Sequence, residues 1–192
     1  MGQQPRLTAF LNAIHPLDTE TAEEYSACWH PVSGVKKEIL TWEGETEKYI
    51  YFVEEGFQRS YYIKDAREYV MAFTYPPSFS GIVESFLTQT PSRYFLECIT
   101  DSRLLRIAHT DHQKMMNKHR SLETLFRKAA EAVLTGVAER QYELLALSME
   151  ERFRAFTQRS AHLLNKVPHK HIASYLRIDP SNFSKLLSKI PI

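Results

Sequence analysis

Between Asp179 and Ile190 the chain reads DPSNFSKLLSKI, and its side chains divide into two sets. At the angular step of a helix, Phe183, Leu186, Leu187 and Ile190 fall on one narrow apolar stripe. Ser181, Lys185 and Ser188 lie opposite it, with Asn182 and Lys189 on the flanks. Hydroxyl, amide and ammonium groups with no acid among them can bond base edges and phosphate oxygens and neutralise phosphate charge. An ordinary solvated helix face mixes Glu with Lys to gain i,i+4 pairs, and this one has no Glu. Asp179 and Pro180 make a strong helix start, because the carboxylate can cap free amides and the proline sits where no N–H is needed. His169 and Lys170 open the preceding short segment, HKHIASYL, and with His171 are candidates for phosphate contacts.

Charge supports the same partner. From Glu151 to Ile192 eight Lys/Arg stand against two acids, whereas the rest of the chain carries 16 against 21. A basic tail on an acidic body points to a polyanion at the tail alone. Other chemistry has less to stand on. Cys28 and Cys98 are too few and too far apart for a zinc or iron–sulfur site and read as buried thiols of a reducing cytoplasm. His109 with His112, and His169 with His171, are the close histidine pairs, and neither has an obvious third ligand nearby, so no metal is expected. There is no G-x-S-x-G elbow, and residues 35–108 contain no histidine for a cupin-type metal centre, so no catalytic residue is assigned. No apolar run is long enough to span a bilayer, the first residues are not a secretory signal, and Gly2 lacks the context for N-myristoylation.

The elements that must carry these residues follow from periodicity. Leu7, Phe10, Leu11 and Ile14 recur at helical spacing, and a second helix restarts after Pro16 with Asp18 or Thr19 as its cap. From about Val35 to Ala108 six strand-like runs appear: VKKEIL, YIYFVEE, FQRSYYI, YVMAFTY, RYFLECI and RLLRIA. Turn residues punctuate them, which predicts an antiparallel sandwich or barrel. A short helix, TDHQKMMNKH, precedes a proline-free stretch from Ser121 to Ser148. The long helix predicted there shows a face of Leu122, Phe126, Ala129, Val133, Gly136 or Val137, Leu144 and Leu147. Small residues at near-heptad spacing suit a twofold seam, and a rod of ~40 Å at 1.5 Å per residue overruns a small barrel.

HIASYLRIDPSNFSKL resembles the helix-turn-helix signature of Crp/Fnr-type transcription regulators, in particular a short Bacteroidetes-like branch. ILTWEGETEKYIYFVEEGFQRSYYI follows the strand and turn pattern of that family, with Gly44 and Gly56 at turns where a positive φ costs glycine nothing. The resemblance covers nearly the whole chain and implies an α+β fold. Its parts are a cyclic-nucleotide-binding-like sensor over 1–119 with an N-terminal antiparallel jelly roll at about 33–108, a dimerisation helix over 120–147, and a small C-terminal helix-turn-helix domain over 148–192. It implies a bacterial, cytoplasmic homodimer, joined through helix 120–147, that reads double-stranded DNA through the helix 180–190. Two such helices would enter successive major grooves about 34 Å apart. The family's base-contacting positions correspond here to Pro180, Ser181 and Lys185. Only NKVP separates SAHLL from the first reader helix, which leaves no room for a hairpin wing.

The same resemblance locates an effector pocket and shows it altered. Gly81 matches the glycine of the phosphate-binding cassette, but Ile82 stands where the ribose-binding carboxylate belongs and Ser92 where the phosphate-binding arginine belongs. Glu84 comes two positions late and Arg93 one, which on a strand turns Arg93 to the other face unless a bulge intervenes. A cyclic phosphate buried without its arginine is an unpaired charge, so the expectation is an effector other than cAMP or none, and no cofactor. RNA polymerase is a further partner the resemblance implies. The alternative function is a jelly-roll sensor or scaffold that works through protein contacts without DNA.

Overall fold

The computed structural model describes residues 4–190; Gly2 and Ile192 lie outside them. Helix α1, Pro5–Ile14, begins on a proline in its first turn and buries Leu7 and Leu11 one turn apart. Helix α2, Thr19–Ala27, starts at Asp18, whose carboxylate accepts the Thr21 amide at 2.8 Å. Eight strands follow: β1 His30–Gly34, β2 Ile39–Thr41, β3 Tyr49–Glu55, β4 Gln58–Lys64, β5 Arg67–Thr74, β6 Ser78–Ser80, β7 Phe95–Cys98 and β8 Ser102–Ala108. They form two antiparallel four-stranded sheets, in the orders β1-β8-β3-β6 and β2-β7-β4-β5. Helix α3, Val83–Thr88, lies between β6 and β7.

Alternation along the central strands divides the core. Phe52, Leu105 and Ile107 turn outward onto Tyr25, Trp29, Leu122 and Leu125 of the helices, while Tyr51, Val53 and Leu104 turn inward to meet Leu96 and Ile82. The expected jelly roll is present, with two strands that carried no readable pattern. β1 contains Pro31 and is tolerated because it lies at the sheet edge; β6 is three residues long, too short for alternation to register. VKKEIL is a correction: Lys37 has φ +72 in a turn, and only Ile39–Thr41 extends as strand. Gly44 and Gly56 do have positive φ, +87 and +94, and at Gly56 a Cβ would lie within 2.2 Å of the Ser102 hydroxyl.

Helix α4, His109–Lys118, leads into α5, Arg120–Ala146, of 27 residues. The first turns of α5 bury Leu122 and Leu125, but residues 131–139 are exposed on every side, including Val133, Leu134 and Val137. Beyond it come α6 Met149–Ser160, a short 3-10 turn over Ala161–Asn165, α7 His169–Leu176 and α8 Pro180–Lys189. Ser148 and Glu151 form a capping box at the start of α6. No strand occurs among the described residues after Ala108.

Candidate nucleic-acid interface

Helices α7 and α8 are joined by three residues that the backbone uses fully. Arg177 adopts the left-handed conformation, φ +56, and its amide closes α7 on Ala173 and Ser174; Ile178 is buried; Asp179 caps α8 by accepting the Ser181 amide at 2.9 Å. The Ser181 hydrogen bonds hold the Asp179 carboxyl below its ordinary range, so it is ionised where it faces the first turn of α8. Phe183 and Ile190 bury the inner face of α8, with Leu186 and Leu187 half-covered, as the spacing requires.

The outer face sorts the expected contacts. Ser181, Lys185, Ser188 and Lys189 are exposed, as is Lys170 on α7. The Ser188 hydroxyl donates back to Ser184 O at 3.1 Å and the Ser181 hydroxyl donates to Asp179, which leaves both oxygens as acceptors. Lys189 lies 4.0 Å from Glu150, whereas Lys185 has no acidic neighbour within salt-bridge reach among the described residues. Asn182 turns aside toward the sulfur of Met149, 3.9 Å away, and is only half-exposed. His169 is tied by Nε2 to Leu164 O at 3.1 Å, its ring near Phe183.

His171 overturns its expected use. It is buried, with Nδ1 accepting the Arg59 guanidinium at 2.7 Å, and so is closed to phosphate. Burial and the neighbouring guanidinium push its pKa down to about 4, in keeping with a neutral ring; Glu68, 3.8 Å away, does not reverse this because its carboxylate is already engaged by Arg59 at 2.6 Å. The basic tail also overstates the free charge. Arg152 bonds the carbonyls of Leu147, Leu176 and Arg177; Arg154 pairs with Glu150; Arg159 pairs with Glu143. The Arg177 guanidinium lies 4.7 Å from the ring centre of Tyr69.

The Arg177–Tyr69 and His171–Arg59 contacts belong to a clasp between reader and roll that sequence periodicity did not register. Arg59 on β4 is 3 % exposed and grips Glu97 on β7 at 2.5 Å, Glu68 and His171. Ser174 on α7 completes the open edge of β5, accepting from Val70 N at 3.0 Å and donating to Glu68 O at 2.9 Å. Arg177 donates to the Tyr62 hydroxyl, and Arg140 on α5 bonds Tyr175 O while lying over the Tyr175 ring. Phe57, Phe73 and Ile99 of the roll pack into the same apolar cluster as Phe153, Phe156 and Leu176.

The cassette residues do not assemble a polar pocket. Gly81 has φ +146; Ile82 is buried in the roll interior; Glu84 and Arg93 are exposed. The Ser92 hydroxyl is used locally, donating to Tyr94 O and accepting from its amide. Glu47, which sequence reading did not single out, accepts the Ile82 amide at 3.2 Å and the Thr41 hydroxyl at 2.7 Å, and burial raises its pKa. His112 of the other histidine pair is buried, with Nδ1 2.9 Å from the Tyr25 hydroxyl; no group of three metal-binding side chains occurs among the described residues. No helix among them is long and apolar enough to cross a membrane.

Comparison with known proteins adds to this geometry. Residues 32–119 match the model for the cyclic nucleotide-binding domain. FixK2 from Bradyrhizobium japonicum superposes with a TM-score of 0.73 at 21% identity, over 84% of this chain and 83% of that one. The catabolite activator protein of Thermus thermophilus gives 0.58 at 18% identity, over 92% and 84%. A regulator from Eubacterium rectale assigned to the crp/fnr family gives 0.70 at 15%, over 90% and 83%. Among curated proteins none matches the sequence.

Proposed function

We propose that this chain, which carries a cyclic nucleotide-binding domain on the fold of the Crp/Fnr regulators, is a transcription regulator that binds double-stranded DNA as a homodimer and has no enzymatic role. The observation that carries the reading is the outer face of α8, where Ser181, Lys185 and Ser188 stand exposed beside a helix start built from Asp179 and Pro180. A helix presented in this way suits a major groove, with its first turn and Lys185 toward base edges and Lys170 toward a phosphate. Dimerisation through α5 is supported by the bare segment 131–139, where Val133, Leu134 and Val137 lie on one side of the helix and meet water. Cyclic AMP is not the expected effector: Ile82 and Ser92 offer neither the carboxylate nor the guanidinium that a cyclic nucleotide needs. RNA polymerase is a further proposed partner.

The test is selection of bound genomic fragments by the purified chain without added ligand, followed by anisotropy titrations at several salt concentrations. The expected result is a twofold-symmetric site held well above bulk DNA, with affinity falling steeply as salt rises. A dimer that is indifferent to every sequence at low salt would leave the protein-contact role instead.

A further inference from the structure

The two sheets part along the edges formed by β1 and β2, leaving a cavity of ≈ 470 Å³ whose wall includes Val32, Leu40, Glu47, Tyr49, Tyr51 and Arg106. Gly81, Ile82, Glu84, Ser92 and Arg93 do not line it, so it adjoins the altered cassette, through Glu47, without being formed by it. Strand alternation puts its chemistry together. On β8, Arg106 shares the inward face of Leu104; on β3, Tyr51 lies directly across from Arg106 and Tyr49 lies diagonally. The Arg106 guanidinium lies over the Tyr49 ring, its carbon 4.4 Å from the ring centre, and has neither a carboxylate within 4.0 Å nor a hydrogen-bond acceptor among the described residues. Glu47 does not serve it, being committed to Thr41, Ile82 N and Tyr49 N.

We infer that this cavity is a binding site for a small organic monocarboxylate with a flat apolar body. A planar guanidinium held by an aromatic ring is preorganised to pair a carboxylate through two parallel hydrogen bonds. The buried Tyr51 ring directly across from it and the aliphatic wall of Val32 and Leu40 suit an apolar or aromatic body, and the volume fits a guest of that size. Glu38, Glu45 and Glu47 on the same wall outnumber Lys48 and Arg106, so a second negative charge on the guest is unfavourable, which selects a monoanion over a phosphate dianion. As an effector site it rests on the regulator reading, but its occupancy is measured without DNA, so its failure and that of DNA binding are told apart.

The experiment is calorimetric and ligand-observed NMR titration of the full chain with phenylacetate and 3-phenylpropionate, with uncharged 2-phenylethanol, inorganic phosphate and cyclic AMP as comparisons. Saturable binding of the two carboxylates is expected, weakened by about tenfold or more in Arg106→Gln and less in Arg106→Lys. Ile39→Trp, which narrows the cavity while keeping its charges, should abolish binding, so the conclusion does not depend on one substitution folding. Absence of saturation at millimolar carboxylate, equal binding to wild type and a folded Arg106→Gln, or tighter binding of 2-phenylethanol, phosphate or cyclic AMP would each overturn the assignment.

Discussion

Lys185 and Lys170 are both exposed cations on the reader, yet their positions give them different work. Lys185 projects from the outer face of α8, so Lys185→Ala should cost about 1–3 kcal/mol on the preferred site and relax discrimination at the bases it reaches. Lys170→Ala should weaken all sequences alike and lower the salt slope by about one; anisotropy against specific and random duplexes separates the two. His171 responds to acid instead. Its folded-state pKa lies near 4 against an ordinary 6.5, so between those values the unfolded chain takes up the proton and the native one does not. Stability is therefore complete above about pH 6.5 and is lost as pH falls toward 4, by roughly 1–2 kcal/mol at pH 5. Urea midpoints at pH 7 and pH 5 should differ less for His171→Gln than for wild type. Asp179, Pro180 and the buried Phe183 were legible because cap and stripe are local signals. His171 was not, since its partner Arg59 lies 112 residues away in sequence, and adjacency to Lys170 suggested the wrong environment.

At the level of elements, helices were read more accurately than strands, and α5 shows the limit of reading either. Its extent follows from an uninterrupted helical run, but the single apolar face expected along it is divided between two surroundings. Leu122, Leu125 and Phe126 pack against the helices on the roll, while Val133 and Val137, on the same face two turns further along, meet solvent, as do Leu134 and Leu145 beside them. Periodicity reports that a residue wants cover, and not which neighbour supplies it. If a second α5 covers the bare segment, Leu134→Glu with Val137→Glu should yield a monomer by light scattering with unchanged helical circular dichroism, because no tertiary contact within the chain is lost. Gly136 meets nothing within 4 Å, so Gly136→Ala should raise helix stability by up to about 1 kcal/mol in that monomer. The strands were found wherever alternation ran for five residues or more away from a proline. β7, of four residues, was found only inside the longer run RYFLECI, and β1, β2 and β6 fell outside that range.

The whole molecule couples its two ends more tightly than a sensor, a rod and a reader in series would suggest. Helices α6 to α8 share one apolar cluster with Phe57, Phe73 and Ile99, and Arg59 ties two strands and α7 through a single buried guanidinium. Arg59→Ala leaves Glu97 buried without its counter-charge and should cost about 3–5 kcal/mol in denaturant unfolding, with near-UV signals from both ends lost together in the wild type. The order of parts was visible from the chain alone, whereas this union was not, because it depends on pairs more than 100 residues apart. Ser174 has one more consequence. β5 ends its sheet, and an uncovered outermost strand invites a neighbouring polypeptide to lengthen the ladder. By occupying the Val70 amide and the Glu68 carbonyl, α7 acts as a guard against self-association. Cutting the polypeptide after Leu147 should therefore leave a fragment that clumps on standing, and replacing Val70 with proline, which removes the inviting amide, should slow the clumping.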